Sequence, residues 1–171
     1  VVPIGTVFDI TDTFDARNEF HGGHLGLIGE IRRGCWTVRS LLKCSVGNMH
    51  QIVSIDGSTT ILEPAAAPVT NAGGLLALPT NIGNYSRDRV GWIPEFGLTV
   101  GYKPRRWLEL NAGYTVIWMS NVVFSGDQID TGVNISQTNG GPLIGPARPA
   151  FDFRETEYWM HGLTFGATVN F

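Results

Sequence analysis

The stretch Arg89–Asn121, "RVGWIPEFGLTVGYKPRRWLELNAGYTVIWMSN", decides the fold. In an extended chain, successive side chains point to opposite faces. Val90, Trp92, Pro94, Phe96, Leu98, Val100 and Tyr102 then share one face. Arg89, Ile93, Glu95, Thr99 and three glycines share the other. Pro104-Arg105-Arg106 breaks the run as a turn. Beyond it, Leu108, Leu110, Ala112, Tyr114, Val116 and Trp118 oppose Glu109, Asn111, Gly113 and Thr115. The period is two throughout, so the stretch reads as two long antiparallel strands joined by a short turn.

The same alternation extends in both directions. Leu25, Leu27 and Ile31 oppose His24, Gly26, Glu30 and Arg32. Trp36, Val38, Leu42, Cys44 and Val46 oppose Thr37, Arg39, Lys43 and Ser45, with Leu41 an exception. A two-residue turn at Arg33-Gly34 would pair Ile31 with Trp36 and Glu30 with Thr37, matching apolar with apolar. Phe8, Ile10 and Phe14 oppose Asp9, Thr11 and Thr13, and the terminal "HGLTFGATVNF" alternates to Phe171. Six long strands are predicted, near 6–15, 20–33, 35–56, 88–103, 106–120 and 156–171. A short additional strand is predicted at 58–63. The connections 57–87 and 121–155 are long and rich in Pro, Gly, Asn and Ala. Loops of that length count against a compact soluble domain, whereas short turns on one side and long loops on the other are expected of a membrane barrel.

Composition agrees. Charged residues make up 16% of the 171-residue chain, against about 25% in ordinary soluble domains. Glycine supplies 22 residues, about twice the usual share of about 7%. A net charge of −3 gives no electrostatic footprint for nucleic acid. No run approaches the roughly 20 apolar residues of a spanning helix. The chain opens Val1-Val2-Pro3, without Met or a basic-then-apolar leader, which favours a truncated start. On one strand, Cys35 and Cys44 would lie roughly 30 Å apart, so no bridge between them is expected.

Two solvents compete for the apolar face. A soluble barrel with an internal apolar ligand site would bury Trp36, Leu110, Val116, Leu163 and Phe165. A transmembrane barrel would turn them to lipid and line its interior with the polar, glycine-rich face. Aromatics favour lipid. Trp36, Tyr102, Trp107 and Phe171 fall at the short-turn end, and Trp92, Trp118, Tyr158 and Trp159 at the long-loop end. The marks are 10 to 12 residues apart within a segment, close to the 9–11 residues of a tilted spanning strand. Glu30, Arg39, Lys43, Glu95 and Glu109 become the lumen charges, either setting ion selectivity or forming a salt-bridge network that plugs a small barrel. With the short turns in the periplasm, six strands alternate out and in, and the last ends at the periplasmic rim.

The terminal "TFGATVNF" resembles the assembly signal of bacterial outer-membrane barrels. Thr164, Gly166, Val169 and Phe171 fill its polar, glycine, apolar and aromatic places. More of the chain resembles a single family, the beta-barrel porins numbered seven, known mainly from planctomycete-type bacteria. The matching stretches are "FDARNEFHGGHLGL" (14–27), "GNMHQIVSIDGSTTI" (47–61), "GGLLALPTNIGNY" (73–85), "WIPEFGLTVGY" (92–102), "NAGYTVIWMSNVV" (111–123), "GDQID" (126–130), "RPAF" (148–151) and "YWMHGLTFGATVNF" (158–171). Phe124-Ser125 stands where the family often carries Arg-Pro, so a charge role at that place does not carry over. The resemblance implies an all-β, transmembrane, antiparallel up-and-down β-barrel over residues 1–171, in the bacterial outer membrane. It implies outer-membrane lipid and the barrel assembly machinery as partners, and passive diffusion of small solutes as the activity. A non-conducting structural or surface-binding barrel is the alternative. The family is longer at its N-terminus, and six strands are fewer than the roughly 8 of the smallest barrels. The chain is therefore expected to be the C-terminal part of a larger barrel.

Catalytic and metal chemistry finds little purchase. His21 and His24 in "HGGH" face opposite sides of a strand, with no third ligand evident. Asp127, Asp130 and Asp152 lack the spacing of a calcium loop, and a turn held by Asp side chains is the plainer reading of "SGDQID". His24, His50 and His161 form no nucleophilic constellation with Ser40, Ser45 or Ser54. No phosphate-binding glycine loop lies between a strand and a helix. Neither enzymatic activity nor a cofactor is expected.

Overall fold

The computed structural model describes residues 2–137 and 142–170. It is all-β, with strands β1 (Val7–Arg33), β2 (Trp36–Leu62), β3 (Val69–Ala72), β4 (Gly83–Arg105), β5 (Leu108–Val122) and β6 (Thr156–Val169). Two single 3₁₀ turns, Gly126–Gln128 and Ile135–Gln137, lie between β5 and β6. The sheet order is β1-β2-β4-β5-β6, with β3 paired to β2. This is the antiparallel up-and-down arrangement that the alternation predicts. No helix among the described residues is long and apolar enough to cross a membrane.

The strand boundaries differ from expectation in an instructive way. The segments expected at 6–15 and 20–33 are one strand, so the long strands number five among the described residues. The expected gap at 16–19 is filled, because the chain stays extended through it. Asn18 holds the backbone of Val123 with both ends of its amide, at 2.8 and 2.9 Å. The third strand continues to Leu62 because Ser58–Ile61 pair with Val69–Ala72, a short strand inside the expected loop 57–87. The strand expected at 88 already begins at Gly83. The first tight turn is Gly34-Cys35 rather than Arg33-Gly34, with Gly34 at φ +61°, a conformation that glycine adopts at no steric cost. The shift places Glu30 beside Arg39 rather than Thr37. It moves the pairing two residues along and so preserves which faces meet. The second tight turn is Arg106-Trp107.

The chain forms two compact units. The strand unit comprises residues 19–49, 88–122 and 156–171. Within it, Phe96, Leu98, Val100 and Tyr102 pair with Val116, Tyr114, Ala112 and Leu110. Tyr114, Ala112, Leu110 and Leu108 pair in turn with Leu163, Phe165, Ala167 and Val169. Apolar residues thus form continuous rows across neighbouring strands. A Cβ on Gly47 would meet the Cα of Gly22 at 2.4 Å, so glycine at both positions lets β1 and β2 approach closely.

The loop-rich unit comprises residues 1–18, 50–87 and 123–155. Its buried cluster is Val53, Ile55, Ala77 and Val123, covered by Phe14, Ala16, Ile82, Tyr85, Phe151 and Phe153. Tyr85 stacks on Phe151 at 3.7 Å, and Phe153 meets Phe151 edge-on at 4.9 Å. Phe14, on the same face of β1 as Phe8 and Ile10, packs on this core, because the loops supply an apolar partner there.

Candidate functional site

The polar face of the strand unit carries most of the expected lumen charges as pairs. Glu30 bridges Arg32 at 2.5 Å and Arg39 at 2.7 Å. Lys43 pairs with Glu95 at 2.5 Å. Glu109 stands apart, without an ion pair among the described residues. Its Oε1 lies 3.6 Å from where a Cβ on Gly101 would sit. At the turn end, Arg32, Thr37, Arg39, Lys103 and Glu109 border a cavity of about 270 Å³. Paired charges of opposite sign give a small net field, while their hydrogen bonds hold long side chains in fixed positions.

The opposite face is apolar and uncovered. Trp36, Trp92, Tyr102, Trp107, Trp118 and Trp159 are all exposed, with Leu163 70% and Phe165 76% accessible. Trp36 packs on Tyr102 with ring centroids 4.5 Å apart. Trp118 lies directly opposite Trp159. Trp159 in turn stacks on His161 at 5.2 Å, which places that histidine in the aromatic row rather than in a catalytic group. Of the terminal signal, Thr164 pairs with Gly113, Gly166 with Asn111 and Val169 with Leu108. Phe171 lies outside the described residues.

The loop-rich unit is organised by buried and half-buried polar side chains that sequence reasoning did not single out. Asp12 on β1 accepts hydrogen bonds from the backbone N–H groups of Leu75, Leu76 and Ala77, at 3.0–3.1 Å. A carboxylate in a nest of successive N–H groups is a strong local lock. Asn81, fully buried, accepts from the N–H of Leu78 and donates to the carbonyl of Leu76. Gln128 donates to the carbonyls of Phe124 and Arg154 and accepts from the Arg154 N–H. Arg87 is held by Gln51 at 2.6 Å, by Glu155, and by the Phe153 ring at 4.2 Å.

Asp130 accepts from the backbone N–H groups of Ala150 and Gly132 and from Arg148. Those donors, the Ala150 amide first, lower its carboxyl from the ordinary 3.8 to about 2. The "SGDQID" segment is thus a turn anchored by Asp130 and Gln128. Among the described residues, no three His, Cys, Asp or Glu side chains are placed to hold a metal ion. Cys35, in the turn, and Cys44 are both free and exposed. Of the missed residues, Asn81 and Gln128 lie in the stretches "GGLLALPTNIGNY" and "GDQID", while Asp12 and Arg87 lie on β1 and β4, and hydrogen bonds of this kind leave no periodic signal. Their partners are set by the fold alone.

A family model described as "Putative beta barrel porin-7 (BBP7)" matches residues 1–171. No curated protein and no solved structure matches the chain.

Proposed function

The chain belongs to the putative beta barrel porin-7 family, and from that premise we propose that it spans the bacterial outer membrane as a porin-like β-barrel for passive diffusion of small solutes. One observation carries the membrane reading: the apolar rows of the strand unit are exposed across neighbouring strands, opposite a polar, glycine-rich face. Leu98, Tyr114 and Leu163 form one such row, and each is accessible. An exposed patch of this extent marks contact with lipid or a partner. Exposed aromatics at both ends of the strands fit the girdles that flank a bilayer's apolar band. A soluble barrel would bury Trp36, Leu110, Val116, Leu163 and Phe165; Val116 is half-covered, and none of the five is buried here.

A second reading, a non-conducting surface barrel, draws support from the loop-rich unit. There, Val53 and Ile55 on β2 are buried beneath loop residues rather than lining water. Single-channel recording of the full-length protein in planar bilayers separates the two. Stepwise conductance supports the pore, and silence at every potential leaves the structural barrel. In either case we assign assembly of the last strand to the barrel assembly machinery, through Thr164, Gly166, Val169 and Phe171.

A further inference from the structure

The two tight turns of the strand unit carry cations out of proportion to the rest of the chain. Arg33, Lys103, Arg105 and Arg106 are all exposed. None has an ion pair or hydrogen-bonding side-chain partner among the described residues. The backbone N–H of Lys103 bonds the carbonyl of Cys35 at 2.7 Å, which ties the two turns together. Four unpaired cations are thereby gathered at one end of the strands. On the polar face, by contrast, Arg32 and Arg39 share the Glu30 carboxylate and Lys43 pairs with Glu95.

Beside these cations lies an apolar groove of about 390 Å³ on the exposed face. Trp36, Val100, Tyr102, Leu110, Ala112 and Phe165 line it. Trp36 follows the turn that Arg33 precedes, and Tyr102 precedes the turn segment that holds Arg105 and Arg106. An apolar trough that ends at interfacial aromatics and opens onto unpaired cations has the chemistry of an acyl chain below a phosphate. Long Arg and Lys side chains at the end of a spanning strand reach the headgroup layer while their stems stay on apolar surface.

We propose that this corner binds an anionic phospholipid of the leaflet at the short-turn end. One acyl chain lies in the Trp36–Tyr102–Phe165 groove, and the phosphate sits against Arg33, Arg105 and Arg106, with Lys103 adding positive potential. The proposal rests on the membrane reading above and adds a ligand class and a location to it. An arginine presents a planar fork to phosphate oxygens, and the uncompensated positive charge of the four cations prefers lipids with net negative headgroups over zwitterionic ones. It also orients the barrel, because a patch of four unpaired cations favours an anionic leaflet.

The test is reconstitution of the full-length protein into vesicles of phosphatidylcholine with a minority of spin-labelled phosphatidylglycerol. Folding is read by heat-modifiable mobility, and boundary lipid by electron paramagnetic resonance. The expected result is folding together with several-fold enrichment of the anionic lipid at the protein surface. Each cation near an anionic surface is worth about fivefold in partition at low salt. R33Q/R105Q/R106Q should return the boundary lipid to near bulk composition while folding persists, and R33K/R105K/R106K should restore most of the enrichment. Phe165→Ala should weaken it without altering its salt dependence. Folding with boundary lipid at bulk composition overturns the lipid site and leaves the membrane reading intact. Failure of the wild-type protein to fold into any vesicle overturns both.

Discussion

The same strands serve opposite chemistries in the two units. Within the strand unit, the even positions of β2 include Trp36, Val38, Leu42, Cys44 and Val46, exposed and mostly apolar, with Ser40 and Asn48 as polar exceptions. The odd positions there include Thr37, Arg39, Lys43 and Ser45, with Leu41 and Met49 as apolar exceptions. In the loop-rich unit the even positions include His50, Ser54, Asp56 and Ser58, with Ile52 among them, while Gln51, Val53 and Ile55 on the odd side are buried. Strands β1 and β4 make the same exchange. On β4, Asn84 and Ser86 give way to Val90, Trp92 and Phe96 at even positions. A strand fixes which residues share a face, but not which face is apolar. Solvent decides that: an outer apolar row can stand only against lipid or a partner, and an inner one only beneath something that covers it.

Substitutions that force one unit to obey the other's rule test this contrast. The largest effect is expected from Val53→Asp. It places an unpaired carboxylate in the closed core of the loop-rich unit and should cost about 3–5 kcal/mol, read by denaturant unfolding of the reconstituted protein. Tyr114→Arg, in the middle of the outward row, should cost about 2–4 kcal/mol in bilayers and much less in a micelle, whose surface deforms around the charge. Equal effects in the two media would break the assignment of that row to lipid. Asp12→Ala strips the carboxylate from three backbone N–H groups and should cost about 2–3 kcal/mol. Hydrogen exchange should accelerate at Leu75, Leu76 and Ala77 before it does in β5.

A pH titration sharpens the same point. The Asp130 carboxyl is depressed to about 2 from 3.8. Its contribution is therefore complete above the unfolded value and declines as pH falls through about 2. Exchange at the Gly132 and Ala150 amides should rise as pH falls from about 4 to 2, once corrected for intrinsic rates. Asp130→Asn should remove that dependence. Glu30→Gln should have the smallest effect, a barely detectable change in stability, because its pairs with Arg32 and Arg39 are solvated.

The strand unit was legible in the sequence because its faces are set by local alternation. Val90 to Tyr102 and Leu108 to Trp118 form the strands that their period predicts, and the pairing of Leu98 with Tyr114 follows from it. The turn at Gly34-Cys35 was misplaced by one residue, since Arg33 and Cys35 are equally silent about turn position. The loop-rich unit was nearly opaque. Nothing in "TFDARNEF" says that Phe14 and Asn18 face a folded loop, and nothing in "GGLLALPTN" announces that Asp12, more than sixty residues earlier, binds it. Of the expected lumen charges, Lys43 and Glu95 meet and Glu30 meets Arg39, while Glu109 joins neither pair. Alternation could place these groups on a face, but only the register between strands could match them.

The most direct measurement is a spin-label scan of the even positions of β2 in the full-length protein, folded into vesicles on a C35S/C44S background. Labels at Val38, Leu42 and Val46 should be relaxed by oxygen, which concentrates in lipid. Labels at Ser54, Asp56 and Ser58 should be relaxed by a water-soluble nickel chelate. Relaxation by the nickel chelate along the whole series would contradict the claim that the strand unit is turned outward to the bilayer.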